Sequence, residues 1–126
     1  MRSVDTNVLV RLLTQDDAEQ VRVARGWVEE GVWVSTLALA EALWVLSVVY
    51  DRGPAEIASA VEALLNHRSL TLQDSDVVTA ALMRFRERPS VGFSDCLPLE
   101  LARKAGHLPL GTFDRNLSKI DGARKL

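Results

Sequence analysis

The sequence VWVSTLALAEALWVLSVVY, residues 32–50, decides the fold class. Its first five residues, 32–36, are mainly β-branched or aromatic, which predicts a buried strand. The apolar run from Leu37 to Tyr50 predicts a long helix, and this helix stops before Gly53-Pro54. A strand is thus followed at once by a helix, which is the repeating order of α/β proteins.

The same alternation continues on both sides of residues 32–50. Further strands are predicted in an extended segment that ends at Asp5, at 70–72 and at 107–112. Further helices are predicted at 8–13, from Asp16 or Asp17 to about Glu30, from Pro54, from Asp74 or Ser75, and from near Ser94-Asp95 to Gly106. No repeat or linker interrupts the pattern, so we predict one α/β domain over 1–126, with a central, mostly parallel sheet flanked by helices on both faces.

The charges are distributed unevenly along the chain. The formal net charge is -2, but residues 101–126 carry six Lys or Arg and two Asp or Glu, which leaves the rest of the chain acidic. This distribution fits a protein that holds cations in a pocket and phosphates at its rim, although a merely solvated tail fits it equally well. The one cysteine, Cys96, excludes an intrachain disulfide and favours a reducing compartment. No apolar stretch is long enough for a membrane span, so we expect a cytoplasmic protein without a membrane partner.

Glu41 is the most informative residue of the sequence. It is the only charged side chain between Val32 and Tyr50, and its helix is apolar nearly all round, so we expect it to be buried. A buried carboxylate has to be protonated, paired or bound to a cation, because burying an uncompensated charge is unfavourable. An ion pair with a distant arginine and a position on a narrow solvent-exposed stripe both stay open as alternatives to a bound cation.

Three aspartates, Asp5, Asp95 and Asp114, stand at junctions between predicted elements. Each could simply cap a helix or form a turn, and Pro98 strengthens that interpretation for Asp95 because proline is tolerated only in the first helical turn. Together with Glu41 they form a set that we call the four acids. Carboxylates gathered without a cation repel one another, and their oxygens suit Mg²⁺ or Mn²⁺. Such ions activate water in phosphodiester hydrolysis, so the four acids predict a metal-dependent phosphoryl hydrolase.

Four segments carry a resemblance to a known family: Val4-Asp5-Thr6-Asn7, Leu39-Ala40-Glu41-Ala42, Phe93-Ser94-Asp95-Cys96-Leu97 and Leu110-Gly111-Thr112-Phe113-Asp114-Arg115. In this order they resemble the motifs of the PIN-domain nucleases, and the length and layout resemble the VapC toxins of type II VapBC toxin–antitoxin modules. Each segment alone is common, but four in order across residues 5–117 make a specific pattern. Pro98 departs from the continuous apolar helix usual in the family, and indicates a helix that starts at Asp95 or is distorted there.

The resemblance implies both a site and an activity. It makes the four acids the catalytic and metal-binding residues, with Mg²⁺ or Mn²⁺ as the cofactor. It makes Asn7 and Thr112 polar helpers that orient a carboxylate or a metal-bound water. The implied reaction is endonucleolytic cleavage of RNA, the implied partner is a cognate antitoxin protein that blocks the active-site groove, and the implied assembly is a homodimer.

The same residues are compatible with functions of a different kind. The four acids would also suit a DNA nuclease or a metal-dependent phosphatase, and acids that only cap helices would suit a non-catalytic RNA- or protein-interaction domain. Cys96 is interpreted as a buried, inert thiol, because the only histidines, His67 and His107, are expected in loops.

Two further predictions concern surfaces and core. Possible RNA contacts are the basic residues of one helix and of the tail: Arg84, Arg86, Arg88, Arg115, Lys119, Arg124 and Lys125.

The chain has more large apolar side chains than one core can hold, including Trp27, Tyr50 and Phe85, and this excess predicts a homodimer contact. At the same time the apolar neighbours of Trp27, Trp33 and Trp44 favour core positions for these indoles.

Overall fold

All five strands are short and pair in parallel, which confirms the α/β class. The computed structural model describes residues 1–126, and the chain divides into two compact units, 1–75 and 76–126. Three strands form one sheet in the first unit, and two strands form another in the second. Six α-helices lie in pairs between the first four strands, at the places where the sequence predicts helices. None of these helices combines the length and the apolar character that a membrane span requires.

The first unit is built on the sheet β1-β2-β3 and four helices. Its strands are β1 (Arg2–Ser3), β2 (Val32–Val34) and β3 (Leu70–Leu72). Its helices are α1 (Thr6–Thr14), α2 (Ala18–Val28), α3 (Thr36–Val48) and α4 (Pro54–Asn66). The outer residues of β2 and β3 are buried and the middle ones exposed, because successive side chains of a strand point to opposite faces.

Side-chain caps explain where these helices begin. The oxygens of Asp5, Asp17 and Ser35 accept the backbone N–H of the third residue along, and so satisfy donors that a helix start leaves unpaired. Pro54 occupies the first turn of α4, where its missing N–H costs nothing. The predicted starts at Asp17 and Pro54 are therefore confirmed.

The second unit contains two helices and the sheet β4-β5. Helix α5 spans Ser75–Glu87 and begins at the boundary between the two units, and α6 spans Phe93–Ala105. Strand β4 (Leu110–Thr112) pairs in parallel with β5 (Ala123–Lys125), and a 3₁₀ turn, Leu117–Lys119, lies between them. The last part of the basic tail is thus a strand, and its Arg124 and Lys125 side chains are exposed. Gly106 ends α6 in the left-handed conformation with φ 81, as predicted.

The start of α6 lies within one residue of the predicted region near Ser94-Asp95, but its cap is a different residue. The helix begins at Phe93 after Gly92, so Asp95 lies in the first turn and does not cap it. Pro98 lies inside the helix, one turn further on, where it removes one backbone hydrogen bond. The capping interpretation of Asp95 is therefore wrong, and its carboxylate is left available for another role.

The aromatic residues also differ from the predictions. Trp27, Trp33 and Trp44 are exposed rather than in the core, with 43%, 39% and 53% of their surface accessible. Tryptophan tolerates such positions because its apolar ring can lie on the surface while its N–H is satisfied; the Trp27 Nε1 donates to the Ser3 carbonyl at 3.0 Å. Phe85, expected on the surface, is 4% exposed and packs edge-on against Phe93 with ring centroids 6.2 Å apart.

A buried acid in the second unit was not anticipated. Glu100 on α6 is buried, and its carboxylate is paired with Arg103 at 3.2 Å and with Arg84 at 3.7 Å. Arg103 also donates to the Asp121 carbonyl at 2.6 Å. Its guanidinium lies so close to Gly122 that a Cβ there would come within 2.9 Å of it. Arg103 therefore ties the turn before β5 to α6.

Candidate active site

Asp5 is held at the junction of β1 and α1. It follows Ser3, the last residue of β1, by two positions, and its Oδ1 accepts the Val8 N–H at 3.2 Å. Its other carboxylate oxygen makes no hydrogen bond. The cap thus fixes the direction of the side chain and leaves one oxygen free for a ligand.

Glu41 lies on α3, within the same unit, and is exposed. The expectation that it is buried is wrong, because α3 leaves one apolar stripe uncovered: Leu37, Trp44 and Val48 are exposed on the same side of the helix. The only hydrogen-bond partner of the Glu41 carboxylate is the Thr6 hydroxyl, which donates to Oε2 at 3.2 Å. The sequence reasoning missed Thr6, although a hydroxyl beside Asp5 at a helix start was a usable signal.

Asp114 is the turn-forming acid of the second unit. It follows the end of β4 by two residues, and its Oδ1 accepts the N–H groups of Asn116 at 2.8 Å and Leu117 at 3.0 Å. Its own N–H donates to the Thr112 hydroxyl at 3.0 Å. Thr112 therefore supports the backbone of this turn, and the second carboxylate oxygen of Asp114 is free.

Asp95 lies in the first turn of α6 and is the acid whose electrostatic surroundings are most informative. Its pKa is raised above the usual aspartate value, first by burial and second by the negative charge of Asp114. No hydrogen bond or ion pair of its side chain offsets these effects. The electrostatics of this pair therefore favour a bound cation, which would relieve the repulsion.

None of the four acids forms an ion pair, whereas most other acids of the chain do. Asp16 is bound by Arg11 at 2.8 Å, and Asp76 by Lys104 at 3.2 Å. The four acids thus offer oxygen ligands with uncompensated charge, which is the donor chemistry that Mg²⁺ and Mn²⁺ prefer. No group of three or more His, Cys, Asp or Glu side chains that could hold a metal ion is present in the structure. Asp5 and Glu41 belong to the first unit, and Asp95 and Asp114 to the second.

The remaining predicted residues differ in their surroundings. Asn7 lines a groove of about 440 Å³ between α1 and α2, together with Val23 and Trp27, and makes no hydrogen bond to a carboxylate. Arg84 is engaged by Glu87 and Glu100, whereas the basic side chains further along the chain are exposed: Arg115, Lys119, Arg124 and Lys125.

Cys96 is buried, as predicted, and desolvation raises the pKa of its thiol to about 12. A thiol with this pKa is almost entirely protonated at neutral pH, and only the thiolate is an effective nucleophile. Burial and this pKa make Cys96 a poor nucleophile.

The sequence model of the PIN-domain family matches residues 3–123. This chain belongs to the PIN-domain family. The match includes all four acids and extends over both units. No curated protein and no solved structure matches the chain significantly. Because PIN domains are generally nucleases and typically use divalent metal ions, the family indicates a function of the nuclease type.

Proposed function

We propose that this PIN-domain protein is a Mg²⁺- or Mn²⁺-dependent endoribonuclease, with Asp5, Glu41, Asp95 and Asp114 as its metal-binding and catalytic acids. The observation that carries the proposal is the state of these carboxylates: none has a cationic partner, and the pKa of Asp95 is raised by burial and by Asp114. Acids that served only as helix caps would gain nothing from lying close enough to repel one another, as Asp95 and Asp114 do. A divalent cation compensates this repulsion.

Three of the four acids are held by hydrogen bonds, and Asp95 is placed by its position in a helix. Backbone N–H groups hold one oxygen of Asp5 and one of Asp114, and the other oxygen of each accepts no hydrogen bond from the chain. A hydroxyl holds Glu41, and the first turn of α6 carries Asp95. A divalent ion, when bound, supplies Lewis-acid chemistry that lowers the pKa of the attacking water and neutralises charge on the phosphate.

RNA as the substrate is supported by the charge distribution and by the family. The second unit exposes Arg86, Arg115 and Lys119, whose charges can contact phosphates, and half-buried Arg88 adds to them. Arg84 is expected to contribute least, because its guanidinium is paired with Glu87 and Glu100.

We further propose that the protein acts in the cytoplasm as the toxin of a toxin–antitoxin pair, and that it forms a homodimer. The support is apolar surface that needs a partner: Leu37 is 83% exposed, and Val48 and Trp44 continue its stripe on α3. The groove between α1 and α2, next to exposed Trp27, offers a second such surface. Of the residues first taken to indicate a dimer contact, Phe85 is buried and no longer supports it.

The decisive experiment compares end-labelled RNA, DNA and a phosphate monoester with Mg²⁺, with Mn²⁺ and with EDTA. We expect metal-dependent cleavage of RNA, and a loss of at least about a hundredfold in Glu41→Gln, because the substitution removes a metal-binding charge. Glu29→Gln is the matched control, since Glu29 is an exposed glutamate at the end of α2 outside the proposed site. Preference for DNA or the monoester would replace the RNase assignment. No metal-dependent activity would favour a non-catalytic interaction domain.

The toxin role is tested by expression in a host that lacks the antitoxin. Growth should arrest with the native chain and continue with Glu41→Gln, whereas the Glu29→Gln control should still arrest it. Sedimentation of the purified protein at micromolar concentration tests the dimer, and a stable monomer would contradict it.

A further inference from the structure

We propose that Thr6 is a positioning residue that holds the Glu41 carboxylate ready for the divalent ion. The inference rests on the proposed function, because it assigns Thr6 a role at that same site. Its basis is the hydrogen bond from Thr6 Oγ1 to Glu41 Oε2 at 3.2 Å, which joins residues 35 positions apart.

The bond connects the two acids of the first unit. Thr6 is the first residue of α1 and directly follows Asp5, whose carboxylate caps that helix. Glu41 lies on α3, and α1 and α3 are the most extensively packed pair of helices in the chain. Movement of Thr6 is therefore restricted by the same packing that positions Asp5. Through the hydroxyl, this restriction extends to Glu41.

The hydroxyl is available because of its place in the helix. Threonine within a helix often donates to the carbonyl four residues earlier, as Thr14 does to Val10 at 2.8 Å. Thr6 has no preceding helical turn, so this competing bond does not exist for it. Its donor is directed to Glu41 instead.

Glu41 needs such a partner. It is exposed, its neighbours on the uncovered side of α3 are the apolar Leu37 and Trp44, and no Lys or Arg pairs with it. Without the hydroxyl, a long side chain in this position would populate several rotamers. Binding a cation would then require ordering it, and an arrangement fixed in advance reduces that cost.

The test measures binding of Mn²⁺ alone to the full chain, by the loss of the free-ion signal in electron paramagnetic resonance. Thr6→Val keeps the branched shape and removes the hydroxyl, and should weaken Mn²⁺ binding about tenfold, the lower end of what loss of a ligand-orienting contact causes. Thr6→Ser keeps the hydroxyl and should bind as the native chain does. Thr6→Ala provides a second hydroxyl-free variant should valine disturb the first turn of α1.

A double-mutant cycle separates positioning from a general structural effect. In the Glu41→Gln background, Thr6→Val should cause no further loss of Mn²⁺ affinity, because the group it orients is already without charge. Native affinity in Thr6→Val, or an equal loss in both backgrounds, would overturn the inference while the proposed function stands. Absence of Mn²⁺ binding by the native chain would overturn both.

Discussion

The repulsion between Asp95 and Asp114 can be measured directly. If their charges interact as the raised pKa of Asp95 indicates, the metal-free protein contains a like-charge pair that opposes folding. The perturbation is Asp95→Asn and Asp114→Asn, singly and together. Asparagine keeps the size of each side chain, and at Asp114 it retains an oxygen that can accept from Asn116 and Leu117.

The single variants alone do not isolate the repulsion. Asp95 lies in the first turn of α6, where a negative charge interacts favourably with the helix N-terminus by about 0.3–1 kcal/mol, and Asp95→Asn loses this too. The cycle cancels that contribution. Both aspartates are accessible to solvent, so screening limits their coupling to about 0.2–1 kcal/mol. Either single substitution already removes the whole repulsion, so the sum of the two single effects counts it twice. The double variant should therefore be less stable than that sum predicts, and the difference is the coupling energy of about 0.2–1 kcal/mol.

The assay is chemical denaturation in EDTA, followed by circular dichroism, at neutral and acidic pH and at low and high salt. The pKa of Asp95 is raised in the folded state, so its ionised form destabilises folding above that pKa. As the pH falls through the folded and then the unfolded pKa, both states become protonated and the coupling disappears. High salt should reduce it as well. Zero coupling at neutral pH, a coupling of opposite sign, or one that persists in acid would refute the reasoning.

Burial raises the pKa of the Cys96 thiol to about 12, so iodoacetamide should label the native protein slowly and the unfolded protein fully, as mass spectrometry will show; rapid native labelling would contradict this. Phe85→Ala should reduce the free energy of unfolding by about 3–5 kcal/mol in urea titrations, because Phe85 is buried, whereas Met83→Ala on the exposed side of the same helix should change it by less than about 0.5 kcal/mol. A variant with both Arg115 and Lys119 changed to Ala should bind RNA more weakly, and the slope of its log affinity against log salt should fall by about 0.7 per lost phosphate contact; an unchanged slope would assign these charges to solubility or to the partner.

The elements of this fold were predictable where local chemistry determines them. Asp17 and Pro54 start helices, and Gly106 ends one, because capping and backbone preferences depend only on neighbours in sequence. Strand β5 was not predictable in the same way. Its sequence, Ala-Arg-Lys, has low strand propensity and forms a strand only because β4 is present to pair with it.

Exposure was the property that sequence reasoning predicted least well. A helix that is apolar on every side, as α3 is, contains no information on which stripe will be covered, so Glu41 was expected to be buried and is not. The same ambiguity placed Trp44 in the core, whereas 53% of its surface is accessible. Burial depends on which elements meet in the folded chain, and that information is not local.

The exposure of Glu41 changes the physical argument for a cation without removing it. An exposed carboxylate pays little desolvation, so Glu41 alone does not require a metal ion. The electrostatic argument for a cation rests instead on the second unit, where partial burial and the charge of Asp114 raise the pKa of Asp95, and no cationic side chain pairs with it. Under the proposed function, Glu41 would provide an oxygen ligand that Thr6 holds in place, rather than a buried charge in need of neutralisation. On this account Glu41→Gln should leave the metal-free stability nearly unchanged, within about 0.5 kcal/mol, since glutamine can still accept from the Thr6 hydroxyl. Addition of Mn²⁺ should raise the melting temperature of the native chain more than that of the variant. Equal rises in both proteins would show that Glu41 does not bind the ion.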